Sequence, residues 1–280
     1  MHRESLRLSA ARLILLVSAV MTCACDGSDR PAESSDKHLR RTTHWDYGDD
    51  GPSVWAELSP DYAMCANGTS QSPIDLALPE HGEPAIARIE FSSAPGVMTF
   101  NEHVEDIVDN GHTIQVSFDD SSVIELDGAA YELEQFHFHT PSEHTLDGVH
   151  FPMETHFVYR NAAGRFLVVG VFVAAGKHNS AFDHLVSNFP DRGGSRHVEK
   201  VVTSLEQMAP GGARGYRYSG SLTTPPCLEE VIWLISAQPL EMSVEQLDSF
   251  ASRIGHNARP VQPVNGRLLS DIKFVEDPAP

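Results

Sequence analysis

From Trp45 onward, short runs of β-branched and aromatic residues recur between polar turn signals. They are "HTIQVSF" before "DDSS", "YELEQFHFH" before "TPSEH", "METHFVYR" before "NAAG", "RFLVVGVFVAA" before "GKHN" and "EEVIWLISA" before "QP". Runs of this composition bounded by Gly, Pro, Asn, Asp and Ser read as strands, and brief polar connections favour antiparallel neighbours. Helical periodicity is sparse. In "SVEQLDSFASRI", Ser243 stands three residues before Gln246 as in a capping box, and Val244, Leu247, Phe250 and Ile254 share a face, which predicts one peripheral helix. "NSAFDHLVSNFP" predicts a second, shorter one, capped by Asn179 or Ser180 and stopped near Pro190. No strand–helix alternation, internal repeat or second linker interrupts the body, which argues against a doubly wound sheet or an α/β barrel. The expected fold is mainly β: a single domain around a large twisted, mostly antiparallel sheet with short peripheral helices.

The amino terminus has a different pattern. Arg3, Arg7 and Arg12 precede the apolar run Leu13–Met21, which has the length of a signal-peptide core and is too short to span a bilayer comfortably. "DGSDRPAESSDKH" is polar, lacks aromatic residues and reads as a linker. The expected organisation is a signal peptide over 1–24, a flexible tether over 25–42 and a domain over 43–276. Cys23 and Cys25 lie where a lipoprotein signal places its lipidated cysteine, although neither "VMTC" nor "TCAC" fits the usual lipobox well. The mature start stays open: cleavage after Ala24 gives a soluble or lipidated protein, and a lipid anchor would be on Cys23 or Cys25, whichever of them the cleavage leaves at the new terminus. Both forms imply export, to the periplasm or cell envelope, and the lipidated one makes a membrane-tethered lipoprotein.

Composition narrows the partners. A formal net charge of −19 argues against nucleic acid, because phosphate binding calls for a basic face. Beyond the leader the chain has only Cys65 and Cys227, and oxidising surroundings favour joining such a pair; two buried free thiols are the alternative. A bridge closing so long a loop would contribute about 4 to 5 kcal/mol in the chain-entropy model, less any native strain. Oligomeric state has no signature in the sequence, and a homodimer stays open.

The densest chemistry is "QFHFHTPSEH", three histidines and a glutamate in ten positions. On a strand, residues two apart point the same way, so Gln135, His137 and His139 share one face and Phe136 and Phe138 the other. "METHFVYR" repeats the arrangement with Glu154, His156 and Val158, and a return of the chain would bring His156 beside the first two imidazoles. Three neutral imidazoles with one open position make a catalytic zinc site. A lone His-x-His is weak evidence, since core or surface histidines also produce it. Its company says more: Gln135 and Glu154 each stand where they could hydrogen-bond an imidazole and fix its tautomer. A charged Glu154 inside an apolar strand has no cheap structural explanation.

Taken together, "HWDYGDDGPSVWAELSP", "QSPIDL", "NGHTIQVSF", "QFHFHTPSEHTLDG", "METHFVYR", "SLTTPPCLEEVIW" and "NARPVQP" resemble the α-class carbonic anhydrases, in the family's order and over nearly the whole body. The resemblance implies a Zn2+ lyase that hydrates carbon dioxide reversibly to bicarbonate and a proton through zinc-bound hydroxide. It assigns zinc to His137, His139 and His156. It makes Thr223 accept a hydrogen bond from that hydroxide and donate one to Glu143, with Thr224 helping to bind bicarbonate. Val158, Val168, Leu222 and Trp233 become an apolar wall for uncharged carbon dioxide. His112 becomes the proton shuttle, a task suited to a free imidazole, and Tyr47, Asn110 and Gln115 order the connecting waters. It also implies a Cys65–Cys227 bridge tying the segment after Trp55 to the loop that carries Thr223. His144 is left as a structural or surface group. Amidohydrolase and metallo-β-lactamase sites also open with His-x-His, but they need ligands or later strands that the chain lacks. A carbonic-anhydrase-like binding module would be expected to have lost a ligand, and none is lost here.

Overall fold

The strand-like segments meet in one large sheet. The structure is a computed structural model and describes residues 43–76, 85–91, 106–109, 111–117, 122–197, 205–208 and 214–276. Residues 1–42, with Cys23 and Cys25, and Asn110 therefore lie outside the described residues. Among those described, the twelve-stranded sheet runs in the order Ser195–His197, Asp106–Asp109, Ile114–Ser117, Ala129–His139, Ser122–Leu126, Ala85–Phe91, Ser270–Glu276, Arg214–Ser221, Glu229–Ser236, Phe166–Ala175 and Leu240–Met242. The twelfth strand, Met153–Arg160, pairs with both Ala129–His139 and Phe166–Ala175. Three pairings are parallel: Phe166–Ala175 with Glu229–Ser236 and with Leu240–Met242, and Ser270–Glu276 with Ala85–Phe91. The others are antiparallel, as the short polar turns lead one to expect. A small second sheet joins Asp75–Leu76, Thr145–Leu146 and Val149–His150.

Central strands are buried on both faces, which is why they read as continuous apolar runs rather than alternating ones. Along Met153–Arg160 every residue but Arg160 is buried. One face contributes Phe136, Phe138, Phe157, Val169 and Val171 to a core closed by Leu247 and Phe250 of the helix Val244–Ile254. That helix carries the predicted capping box, with Ser243 and Gln246 bonding reciprocally. The second predicted helix is a 3-10 turn, Ser180–Phe182, running into a short helix, Asp183–Ser187, and Asn179 supplies the cap by accepting from the Ala181 amide. The opposite face of the sheet carries Val158, Val168, Phe172, Tyr218 and Trp233. This is the face that carries the polar cluster.

Candidate metal centre

Register brings the histidines together. Ala129–His139 and Met153–Arg160 are antiparallel neighbours, with His137 opposite His156 and His139 opposite Glu154. Parity on each strand then points all three imidazoles to one face, while Phe136 and Phe138 enter the core behind. Ring centroids lie 5.0 Å (His137–His139), 5.3 Å (His137–His156) and 4.5 Å (His139–His156) apart. One nitrogen from each ring lies within 4.8 Å of the others.

The remaining nitrogens are each held by a different acceptor. His137 Nδ1 donates to Gln135 Oε1 at 2.9 Å, His139 Nδ1 to the Asn257 carbonyl at 2.8 Å, and His156 Nε2 to Glu154 Oε1 at 2.9 Å. That fixes the tautomers and leaves Nε2 of His137, Nε2 of His139 and Nδ1 of His156 for a common ligand. His139 Nε2 is buried without any hydrogen-bond partner. An unsatisfied buried nitrogen is costly, and a metal ion is a partner that would satisfy it. Burial, and secondarily the neighbouring imidazoles, hold His137 well below the ordinary histidine pKa, and burial outweighs the Glu143 carboxylate in lowering His139. Both rings are therefore neutral at physiological pH, the form a metal requires.

Glu154 has the partners its burial demands. Its Oε2 accepts the backbone amides of Glu143 and His144, each at 2.9 Å, and its Oε1 accepts from His156 and from His144 Nδ1 at 2.7 Å. Burial alone would raise this carboxyl, but the two imidazoles and their hydrogen bonds hold it well below the usual carboxylate range. The second of those imidazoles decides between the two roles left open for His144: it is fully buried, and so it is the structural group and not the surface one. With Nδ1–H committed to Glu154, its Nε2 accepts from the Tyr218 hydroxyl at 2.6 Å, and Tyr218 meets Ser72 Oγ at 2.8 Å. A polar chain thus runs from His156 through Glu154, His144 and Tyr218 to Ser72.

Glu143 is also fully buried, its Oε1 accepting from the Arg259 amide at 2.9 Å. Its Oε2 accepts no hydrogen bond, so the bond expected from Thr223 is not formed here. The oxygen instead faces His139 Nε2 at 3.6 Å and His156 Nδ1 at 3.9 Å. Thr223 is buried in a turn pinned by Leu222 N to Leu228 O and Cys227 N to Thr224 O, both 2.9 Å, with Thr224 half-buried beside it. The Cys65–Cys227 disulfide, expected from the sequence, fastens that turn.

The apolar wall follows from register as well. Val158 pairs with Val168, and Val168 with Trp233, so three buried side chains stand in a row across three strands, two residues along from His156. Leu222, half-buried, packs against the same cluster. Gln115 lies opposite His137 on the next strand, its amide donating to Ser117 Oγ at 3.0 Å. The half-buried His112 ring stacks on Trp45 at 3.8 Å between centroids and 8° between planes. Tyr47 meets Trp45 and Trp55 edge-on, and burial together with the Glu143 charge raises its hydroxyl pKa well above the ordinary value, so it remains a donor.

Two residues escaped the sequence reading. The Asn257 side chain accepts from the Thr140 amide at 2.7 Å and donates to the carbonyls of Phe138 (2.9 Å) and His112 (3.0 Å). Arg259 holds Glu143 and sends its guanidinium to Gln71 Oε1 (2.9 Å), Ser72 O (2.8 Å) and Cys65 O (2.9 Å). Both stand in "NARPVQP", a proline-bounded loop in which Asn and Arg, residue types usually exposed, give no local sign of burial.

A mainly β fold with three such oriented imidazoles defines a candidate metal-binding protein of histidine-triad type. Residues 50–272 match the family model for eukaryotic-type carbonic anhydrase. The carbonic anhydrase of Pectobacterium carotovorum is 36% identical over 230 residues, covering 81% of this chain and 91% of that protein. Among solved structures, the α-carbonic anhydrase of Thermovibrio ammonificans, in complex with the inhibitor sulfanilamide, is similar at 39% identity with a TM-score of 0.71, covering 82% of this chain and 99% of that one. The α-carbonic anhydrase of Photobacterium profundum matches at 35% identity with a TM-score of 0.72, covering 81% and 99%. The chain belongs to the α-carbonic anhydrase family.

Proposed function

We propose that the protein is a zinc-dependent carbonic anhydrase interconverting carbon dioxide and bicarbonate. The observation that carries this reading is the donor set: three nitrogens within 4.8 Å, each aimed by a separate acceptor on its own ring, one of them buried with no partner. His137 Nε2, His139 Nε2 and His156 Nδ1 would hold the ion, a three-histidine set that leaves a position open as catalytic zinc sites do. When bound, zinc acidifies a coordinated water and supplies hydroxide at neutral pH, an effect for which carbonic anhydrase is itself the standard example.

The chain's own groups supply positioning. Glu143, whose Oε2 is unpaired beside two of the ligands, would accept from the Thr223 hydroxyl once the site is loaded, and that hydroxyl would in turn accept a hydrogen bond from the nucleophile. Such an arrangement orients a lone pair at the carbon and adds no charge. The row Val158, Val168 and Trp233, with Leu222, keeps the approach dry for an uncharged substrate, while Thr224 is the polar group at hand for bicarbonate. Hydration releases one proton for each carbon dioxide. His112 would receive it, with Tyr47, Asn110 and Gln115 as the polar groups that would order the connecting waters.

Zinc equilibrium dialysis against a competing chelator tests the ligand assignment. The protein should hold stoichiometric zinc, and His156→Ala should bind far more weakly; equal affinity in the variant would defeat it. Export belongs to the same proposal and is supported by the Cys65–Cys227 bridge, which forms readily only in oxidising compartments. A lipid on Cys23 or Cys25, and the boundaries 1–24 and 25–42, would be read from the mass of the mature amino terminus. Light scattering would decide between monomer and homodimer.

A further inference from the structure

We propose that Gly170 is a positioning residue of the metal centre: its missing side chain is what allows Glu154 to bridge His144 and His156. The inference rests on reading the histidine triad as the zinc site. Gly170 interrupts Phe166–Ala175, a strand otherwise made of apolar side chains, and its same-face neighbours Val168 and Phe172 are both buried. Glycine inside a strand weakens it and often marks a close approach of another group. Conformational freedom is not the reason here, because Gly170 is not among the glycines with positive φ.

The reason is space. Gly170 pairs with His156 on one side and Ile235 on the other. A Cβ on Gly170 would lie 2.5 Å from Ile235 Cδ1, 2.9 Å from Glu154 Oε1 and 3.8 Å from His156 Cδ2. The two short contacts differ in kind. Ile235 Cδ1 is a terminal methyl in an apolar cluster, and Ile235→Val removes it. Glu154 Oε1 cannot turn away, because the carboxylate is fixed at four points and Oε1 itself serves both imidazoles. To reach an ordinary C···O separation of about 3.3 Å, it would have to recede by roughly 0.4 Å. Both imidazole bonds share that atom, so both would change together. Glycine clears the far end of the same polar chain too: a Cβ on Gly220 would lie 2.1 Å from Ser72 Oγ and 2.7 Å from Tyr218 Cε2.

The test measures zinc dissociation constants in an Ile235→Val background, where the Cδ1 contact is gone. There, Gly170→Ala should weaken zinc roughly 10- to 100-fold, the range for losing a hydrogen-bonding partner of a ligand histidine. Adding Glu154→Ala should abolish the difference, so that Gly170→Ala changes zinc affinity by less than about twofold once the carboxylate is absent. Equal losses with and without Glu154, or no loss in either, would overturn the proposal. If Gly170→Ala folds only when Glu154 is alanine, the carboxylate contact is confirmed by folding itself; if it folds in neither background, Gly170 serves backbone packing alone and the proposal falls. Failure of the zinc-site reading would look different, because the Ile235→Val parent would then bind zinc no better than its His156→Ala derivative.

Discussion

Asn257→Ala probes how a loop residue distant in sequence holds the ligand strand. In the structure this side chain accepts from Thr140 N and donates to Phe138 O and His112 O, while its own carbonyl receives His139 Nδ1. Each of the three side-chain bonds contributes about 1 kcal/mol net. Phe138 O keeps a second donor, the Thr113 hydroxyl, but the buried Thr140 amide has only Asn257, and stranding it adds about 1 to 2 kcal/mol. The expected loss is about 4 to 5 kcal/mol, a large part of the 5 to 15 kcal/mol typical of a domain. Zinc affinity should fall about tenfold, the low end of the range for such partners, since the carbonyl facing His139 survives but is no longer clamped. Urea unfolding of the metal-free protein gives the first quantity, and competition with a chromogenic chelator the second. A stability loss under about 1 kcal/mol would refute the reasoning, because it would mean that the three bonds are replaced at no cost by water or by local rearrangement.

Reduction of Cys65–Cys227, or replacement of both cysteines by serine, should lower stability by about 5 kcal/mol in the chain-entropy model, given a sequence separation of 162, and a urea midpoint insensitive to reductant would contradict it. Acid should destabilise the metal-free protein. His137 and His139 have folded pKa values below the unfolded value of about 6.5, so the unfolded chain binds more protons and stability falls as pH drops below it. Glu154, also depressed, adds a second loss as pH falls from its unfolded value of about 4.3 through its folded one. A urea midpoint that is flat or rises from pH 7 to pH 5 would count against the buried-neutral assignment. His112→Ala should slow turnover mainly in weak buffer, with added imidazole restoring it; an unchanged rate in weak buffer would remove the shuttle role.

How much of this was legible in the sequence depends on the range of the interaction. Strands and the capped helix at 243–254 follow from local periodicity. The grouping of Gln135, His137 and His139, and of Glu154, His156 and Val158, follows from a repeat of two along a strand. Glu154 was conspicuous as a charge in an apolar run, and its imidazole partner two residues away was predictable for the same reason. His144 stayed undecided between a structural and a surface role because its second partner, Tyr218, is 74 residues away and is reached only through tertiary packing. Asn257 and Arg259 sit in a loop without periodicity, and their partners 116 to 194 residues back depend entirely on tertiary packing. Gly170 did leave a local mark, a lone glycine within a strand pattern, whose meaning required the opposing Glu154 carboxylate.

Stopped-flow carbon dioxide hydration by the purified protein, with zinc determined on the same sample, asks whether the three imidazoles hold zinc for that reaction. Activity that disappears on chelation and returns with stoichiometric zinc is the predicted result. A folded, zinc-loaded protein with no hydration above the uncatalysed rate would contradict it.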